Sequence, residues 1–225
     1  MKRLFIIVFF VFAICDIIGE YYQYFNFVLF MRVVTVPVLY LAYLSFKKNK
    51  FDTIGNLLAV SIVFTCIGLV ATHLIPYGED YMQTTLIIYI FETQIQLFII
   101  THFFYPKNKS MKDEFTKLGI IFSVGVIFIY FFFPMFSFTA QTIVFIRILQ
   151  FSFFFAYTYK NKLLNWQVHW SVWVLLFSNI ISVLFLYITA SKIFHTLVMA
   201  SFFASKFLFV NGLVKSIILK KANPL

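Results

Sequence analysis

The stretch FVLFMRVVTVPVLYLAYLSFKKNK, residues 27–50, decides the fold. Residues 27–46 hold a single charge, Arg32, and then run into Lys47, Lys48 and Lys50. A helix of about 20 apolar residues matches the hydrocarbon core of a bilayer, and a lysine cluster at its end marks a membrane surface. Apolar stretches of the same kind cover residues 4–19, 55–75, 83–105, 118–133, 141–159, 166–187 and 193–213. Residues 134–140 divide the fifth from the sixth full stretch; without that break one run of about 40 residues would remain, too long for a single span.

Composition agrees. Of 225 residues, 62% are hydrophobic and 12% charged, whereas a soluble domain is about a quarter charged. A soluble chain of this size leaves roughly 30% of its area in water, so it could not hide this much apolar surface. A cytosolic globular enzyme, a disulfide-rich secreted domain and a disordered tail are excluded. The apolar runs are continuous rather than alternating, which favours helices over a barrel. The expected fold is all-α: one polytopic domain over residues 1–225 with eight transmembrane helices.

Loop charges orient it. Lys2, Arg3, Lys47, Lys48, Lys50, Lys107, Lys109, Lys112, Lys117, Lys160, Lys162, Lys215, Lys220 and Lys221 fall on one side. Glu20, Glu79, Asp80 and a single base, Lys192, fall on the other. Eight spans with both termini cytoplasmic satisfy the positive-inside rule in every alternate loop. The formal charge of +10 is thus a topology signal, with some attraction for anionic lipid. It does not point to nucleic acid, because no basic face outside the bilayer carries stacking aromatics. Met1-Lys2-Arg3 before an apolar core resembles a signal peptide. No small-x-small cleavage site follows, and Ile14 occupies the small-residue position of a lipoprotein box ending at Cys15, so the first stretch reads as a retained helix.

The halves also echo each other. Residues 28–34, VLFMRVV, read like residues 143–149, IVFIRIL; each stretch later carries Ala-Tyr and leaves through Lys-Asn-Lys. An offset of four helices predicts two parallel half-repeats, 1–110 and 118–221, about an axis along the membrane normal.

Ionisable groups within spans carry the functional signal, since a charge in hydrocarbon costs at least ~2.5 kcal/mol and such residues usually face a polar interior. Counting from helix ends puts Asp16 and Arg32 in the outer half, Glu92, Arg147 and Asn179 near the middle, and Lys206 at or just inside it. Glu92 with Arg147 and Lys206 is expected to form one polar cavity, where a carboxylate beside a cation suits acid–base work or serves as a strut. Asp16 with Arg32 reads as a structural pair. His73, His169 and His195 read as interfacial, and Trp166, Trp170 and Trp173 as an aromatic belt. Cys15 and Cys66 show no metal spacing, so neither a metal nor a cofactor is expected.

Four segments in order resemble the lysoplasmalogenase-like YhhN family. Arg32-Val33-Val34-Thr35-Val36-Pro37 is similar to its Lys-Pro-Leu-Thr-x-Pro, and residues 64–69, FTCIGL, to its Phe-Ser-x-x-Gly-Asp. The segment from Gln96 to Tyr105, with His102, is similar to its Phe-x-x-x-His-x-x-Tyr; Leu176-Phe177-Ser178-Asn179 is similar to its Leu-Phe-x-x-Ser-Asp. The resemblance implies eight helices and hydrolysis of the vinyl ether of a lysoplasmalogen in the cytoplasmic membrane of a bacterium. It departs where that family has its two carboxylates, with Leu69 at one position and Asn179 at the other. Glu92, His102 and Asn179 are the catalytic candidates; Arg32, Thr35, Arg147 and Lys206 are the substrate-binding ones, for membrane lipid or an anionic or lysophospholipid ligand. The alternative is an inactive lipid-binding or transport protein of the same fold. A retinal protein, suggested by Lys206 in the last helix, lacks a counter-ion motif and the usual seven spans.

Overall fold

The computed structural model describes residues 2–46, 52–75, 79–104, 137–159, 161–187 and 192–222, and between 105 and 136 only Leu118, Phe122 and Gly125. Among the described residues there are seven long helices: α1 (Lys2–Tyr22), α2 (Phe25–Phe46), α3 (Thr53–Leu74), α4 (Glu79–Phe104), α5 (Phe138–Thr158), α6 (Trp166–Tyr187) and α7 (Lys192–Ala222). All but α6 stand out as long and apolar enough to cross a membrane. The chain is all-α, with the make-up of an integral membrane protein.

Local chemistry sets the helix ends. Asp52 caps α3 by accepting from the Gly55 N–H at 2.9 Å, and Ser137 caps α5 by accepting from the Ala140 N–H; each satisfies one of the amides a helix start leaves free. At the α1–α2 turn, the Gln23 N–H donates to the Glu20 carbonyl and the Tyr24 N–H to the Gly19 carbonyl. With Gln23 at φ 62°, this is a left-handed helix cap of the kind glycine usually fills. Pro37 lies inside α2 and has no N–H for the Val33 carbonyl. The Cys66 thiol approaches that freed carbonyl, at 4.0 Å.

Burial is inverted relative to a soluble protein. Phe91, Phe138 and Ile193 are exposed, while Asp16, Arg32, Glu92, Arg147 and Lys206 are buried. Apolar atoms facing outward and charges facing inward suit hydrocarbon as the surrounding solvent. The helices pack in chain order as a ring, each against the next, and α7 closes it against α1 and α2. Gly212 lets α7 approach α6: a Cβ there would meet the Val168 backbone nitrogen at 2.7 Å. Nearby, the Asn165 N–H donates to Ser216 and the Asn211 amide to Gln167.

The bundle has two ends. One holds the Gln23 turn, the end of α3 and the starts of α4, α5 and α7; Lys192 there donates to the Tyr21 carbonyl. The other holds Lys220, which donates to the Phe103 carbonyl. Helices α4 and α5 run parallel. Gln83 meets Ser137 at the Gln23 end, Arg147 meets the Tyr89 carbonyl midway, and Asn161 meets the Phe104 carbonyl at the Lys220 end. Phe104 therefore ends α4 at the Lys220 end and Phe138 starts α5 at the Gln23 end, with residues 105–136 between them in sequence. Of these, Leu118, Phe122 and Gly125 are helical. Phe122 packs edge-on against Phe145, and a Cβ on Gly125 would run into the Ile148 side chain.

Candidate functional site

Three features lie inside the bundle: a mid-depth ion pair, a charged cluster toward the Gln23 end, and a cavity beside both.

The ion pair joins Glu92 of α4 to Lys206 of α7 through Oε1 and Nζ. Gln96, one turn along α4, donates to the same oxygen at 2.7 Å and also to Ser61 of α3. The ammonium lies 4.7 Å from the Phe202 ring centre. Both charged side chains are nearly inaccessible, at 1% and 6% exposure. The pair is buried, and with Gln96 and Ser61 it links α3, α4 and α7. Glu92 and Lys206 meet, but the single polar cavity expected for Glu92, Arg147 and Lys206 is not formed, because the pair closes on itself and only Arg147 lines the cavity among α4, α5, α6 and α7.

The charged cluster is larger than that reading allowed. Arg32 of α2 lies 3.5 Å from Asp16 and donates to Glu20 at 2.6 Å, both from α1. Its Nη1 reaches Thr72 and the His73 Nδ1, each at 3.4 Å, from α3. Glu20 in turn faces His195 of α7 at 3.1 Å. The guanidinium thus ties α1, α2 and α3 together, and Glu20 extends the cluster to α7. Glu20 reads from sequence as a loop charge and His195 as an interfacial histidine. Glu20 could have been found, because Asp16 and Glu20 are four residues apart and share a helical face. His195 gives no such signal; only the closure of α7 on α1 supplies it.

The cavity, of about 310 Å³, lies among α4, α5, α6 and α7. Phe151, Phe155, Val172 and Trp173 line it toward the Lys220 end. Thr72, Thr85, Ser178, Asn179, Ser182 and His195 bring polar groups toward the Gln23 end. A second cavity, of about 320 Å³ and lined by Glu20, Gln23 and His73 among others, opens at the Gln23 turn. Thr72 lines both. The Glu20–His195 contact therefore links a residue of one cavity with a residue of the other.

Arg147 of α5 lines the cavity among α4, α5, α6 and α7 near its middle. Its Nη1 lies within 2.6–2.8 Å of the Tyr89 carbonyl, Thr93 Oγ1 and Gln150 Oε1. Gln150 continues the network by donating to the Ile90 carbonyl and to Gln94. Glu92 and Lys206 are not among the lining residues, although Tyr89 and Phe202 beside them are.

The other candidates are spread out. Asn179 lines the cavity, and its amide donates to the Leu175 carbonyl at 2.6 Å. His102 is exposed on α4 against Phe98 and Phe103. It is ten residues beyond Glu92, about 15 Å along the axis. Glu92, His102 and Asn179 hence do not converge on one point. Thr35 is fully buried and donates to the Met31 carbonyl of its own helix. Leu69 is packed in the core. Among the described residues no group of three or more histidines, cysteines or carboxylates could hold a metal ion.

No known protein family, curated protein or solved structure matches the chain.

Proposed function

We propose that this chain is an integral protein of the cytoplasmic membrane that takes a single-chain lipid of the lysolipid class into the cavity between α4, α5, α6 and α7. The lining carries the reading. The lining is mostly apolar throughout, with Tyr81, Leu86 and Met199 in the Gln23 half as well, but the hydroxyl, amide and imidazole groups of Thr85, Ser178, Asn179, Ser182 and His195 all gather in that half. That division fits a molecule with one acyl chain and a polar head. A cavity of about 310 Å³ is at the lower end of the roughly 300–1,000 Å³ typical of small-ligand sites. The resemblance to the YhhN family points to the same ligand class. Leu69 and Asn179 in place of that family's acids favour binding or transport over catalysis.

Eight spans complete the proposal. The parallel run of α4 and α5 supports a further crossing between them, and Phe122 and Gly125 against α5 support a helical one. The lysine clusters support a cytoplasmic Lys220 end and two cytoplasmic termini. Arg32 and Arg147, each buried about two turns into a helix that starts at the Gln23 end, support the parallel half-repeats.

A second reading, vinyl ether hydrolysis, is favoured by the Glu20–His195 contact beside the cavity. The reaction protonates the β-carbon of the vinyl ether, water adds to the resulting oxocarbenium carbon, and the hemiacetal releases an aldehyde and the glycerol hydroxyl. A carboxylate and an imidazole are competent for such proton transfers. Purified protein in nanodiscs, incubated with a lysoplasmalogen, tests both readings. Saturable binding without aldehyde supports the lipid-binding reading, and aldehyde release lost in His195→Gln supports the hydrolase. Neither binding nor aldehyde overturns both.

A further inference from the structure

Resting on that lipid-binding reading, we infer that the cavity selects a single-chain lipid whose head is an anion, a carboxylate or a phosphate, and that Arg147 is the residue that meets it.

The argument is one of charge balance. Around the middle of the bundle stand two cations, Arg147 and Lys206, and one carboxylate, Glu92. Glu92 is the carboxylate that acts electrostatically on Arg147, but its Oε1 is already bound by Lys206 and Gln96. Among the described residues Arg147 has no carboxylate within ion-pairing distance. One positive charge is left over in a region where an uncompensated charge is costly.

The hydrogen bonds of Arg147 are equally lopsided. All three acceptors gather on Nη1, which has only two hydrogens to give. Among the described residues Nε is buried without a partner and Nη2 donates to nothing. The side chain is 4% exposed, and the residue lines the cavity. Its guanidinium carbon lies 4.6 Å from the Phe151 ring centre, which fixes the plane but supplies no negative charge. Nη2 is the guanidinium nitrogen left for an anion, and a small turn of the side chain would set the buried Nε–H beside it as the fork that a carboxylate or phosphate accepts in bidentate fashion.

The position along the cavity supplies the chain. Phe151 and Phe155 follow Arg147 on the same helix toward the Lys220 end, and Val172 and Trp173 face them from α6. An acyl chain fits there. Ser178, Asn179 and Thr85 stand on the other side of Arg147; the Ser178 and Thr85 hydroxyls donate to the Val198 and Tyr81 carbonyls, and the second amide hydrogen of Asn179 remains for a further oxygen of a larger head group. A neutral head would leave the guanidinium fork unmet; an anion satisfies it.

The test uses full-length purified protein in nanodiscs of phosphatidylcholine and compares four probes of one chain length: myristate, myristoyl lysophosphatidate, myristoyl lysophosphatidylcholine and myristyl alcohol. Binding is read by displacement of a fluorescent fatty acid and, independently, by the shift in melting temperature. The expected result is binding of the carboxylate, the phosphate or both at least about tenfold tighter than the alcohol, as charge-assisted hydrogen bonds imply. Which anion wins identifies the source. In Arg147→Gln this preference disappears while the alcohol still binds; Arg147→Lys keeps part of it. The wild-type series stands by itself if Arg147→Gln does not fold. Equal binding of all four probes overturns the inference and leaves the lipid-binding reading intact. Preference for anions that survives in Arg147→Gln overturns the assignment to Arg147. Failure of every probe to bind overturns the lipid-binding reading itself.

Discussion

Arg32 Nη2 and Glu20 Oε2 stand 2.6 Å apart across the α1–α2 hairpin, and the same guanidinium faces Asp16, Thr72 and His73. Removing the guanidinium strands two carboxylates in the bundle. Arg32→Gln should therefore destabilise the protein by roughly 3–5 kcal/mol, the cost of breaking a buried pair from one side. Thermal unfolding in detergent measures it. Arg32→Lys should recover only part, because an ammonium is a point charge and cannot fork toward several partners. Unchanged unfolding in Arg32→Gln would show that water already solvates the cluster.

The pair between Glu92 and Lys206 should behave as a strut. Glu92→Gln leaves the Lys206 ammonium without a counter-charge and should cost roughly 3–5 kcal/mol, whereas replacing both, Glu92→Leu with Lys206→Met, should restore most of that stability. Lipid binding by the double variant should remain close to wild type, because neither residue lines the cavity. Loss of binding at normal melting temperature would instead put the pair in the site.

Gln23→Gly should stabilise the fold by about 0.5–1 kcal/mol. Gln23 holds φ at 62°, where an L side chain crowds the following carbonyl and glycine does not. The gain is smaller than the steric relief because glycine also loosens the unfolded chain. A lower melting temperature in Gln23→Gly would mean that the glutamine side chain itself holds the turn.

Reporter fusions after Lys50, Lys117, Lys162 and Leu225 should all read cytoplasmic. The fusion at Lys117 decides between eight spans and fewer, because it probes the connection between two parallel helices. An exterior reading there removes the fifth span.

Much of the architecture is legible in the sequence because bilayer thickness and lysine placement are one-dimensional signals. Arg32, Glu92 and Lys206 stand out for the same reason: a charge inside an apolar run is visible without knowing its neighbours. Pairing is not. Depth along parallel spans brings Glu92 to Lys206, yet depth cannot tell that Arg147, at a similar level, turns toward the cavity and keeps its charge unmatched. His195 is still less legible, since its partner Glu20 lies on the first helix and only ring closure joins them. His102 shows the converse. Its motif context suggests a site, but the helical turn it occupies faces outward.

The order of synthesis gives the Glu92–Lys206 pair a further meaning. The two residues are 114 positions apart, so at about 5–20 residues per second the lysine leaves the ribosome roughly 6–23 s after the glutamate. For that interval α4 carries a carboxyl group into the membrane with Gln96 as its local shelter. The first hairpin has no such delay, because Asp16 and Glu20 are already made when Arg32 emerges. Biogenesis thus divides what the finished bundle makes look alike: the first hairpin arrives with Arg32 beside its acids, while α4 waits on the last helix for its cation. A nascent chain halted before Lys206 leaves that carboxyl group without its cation.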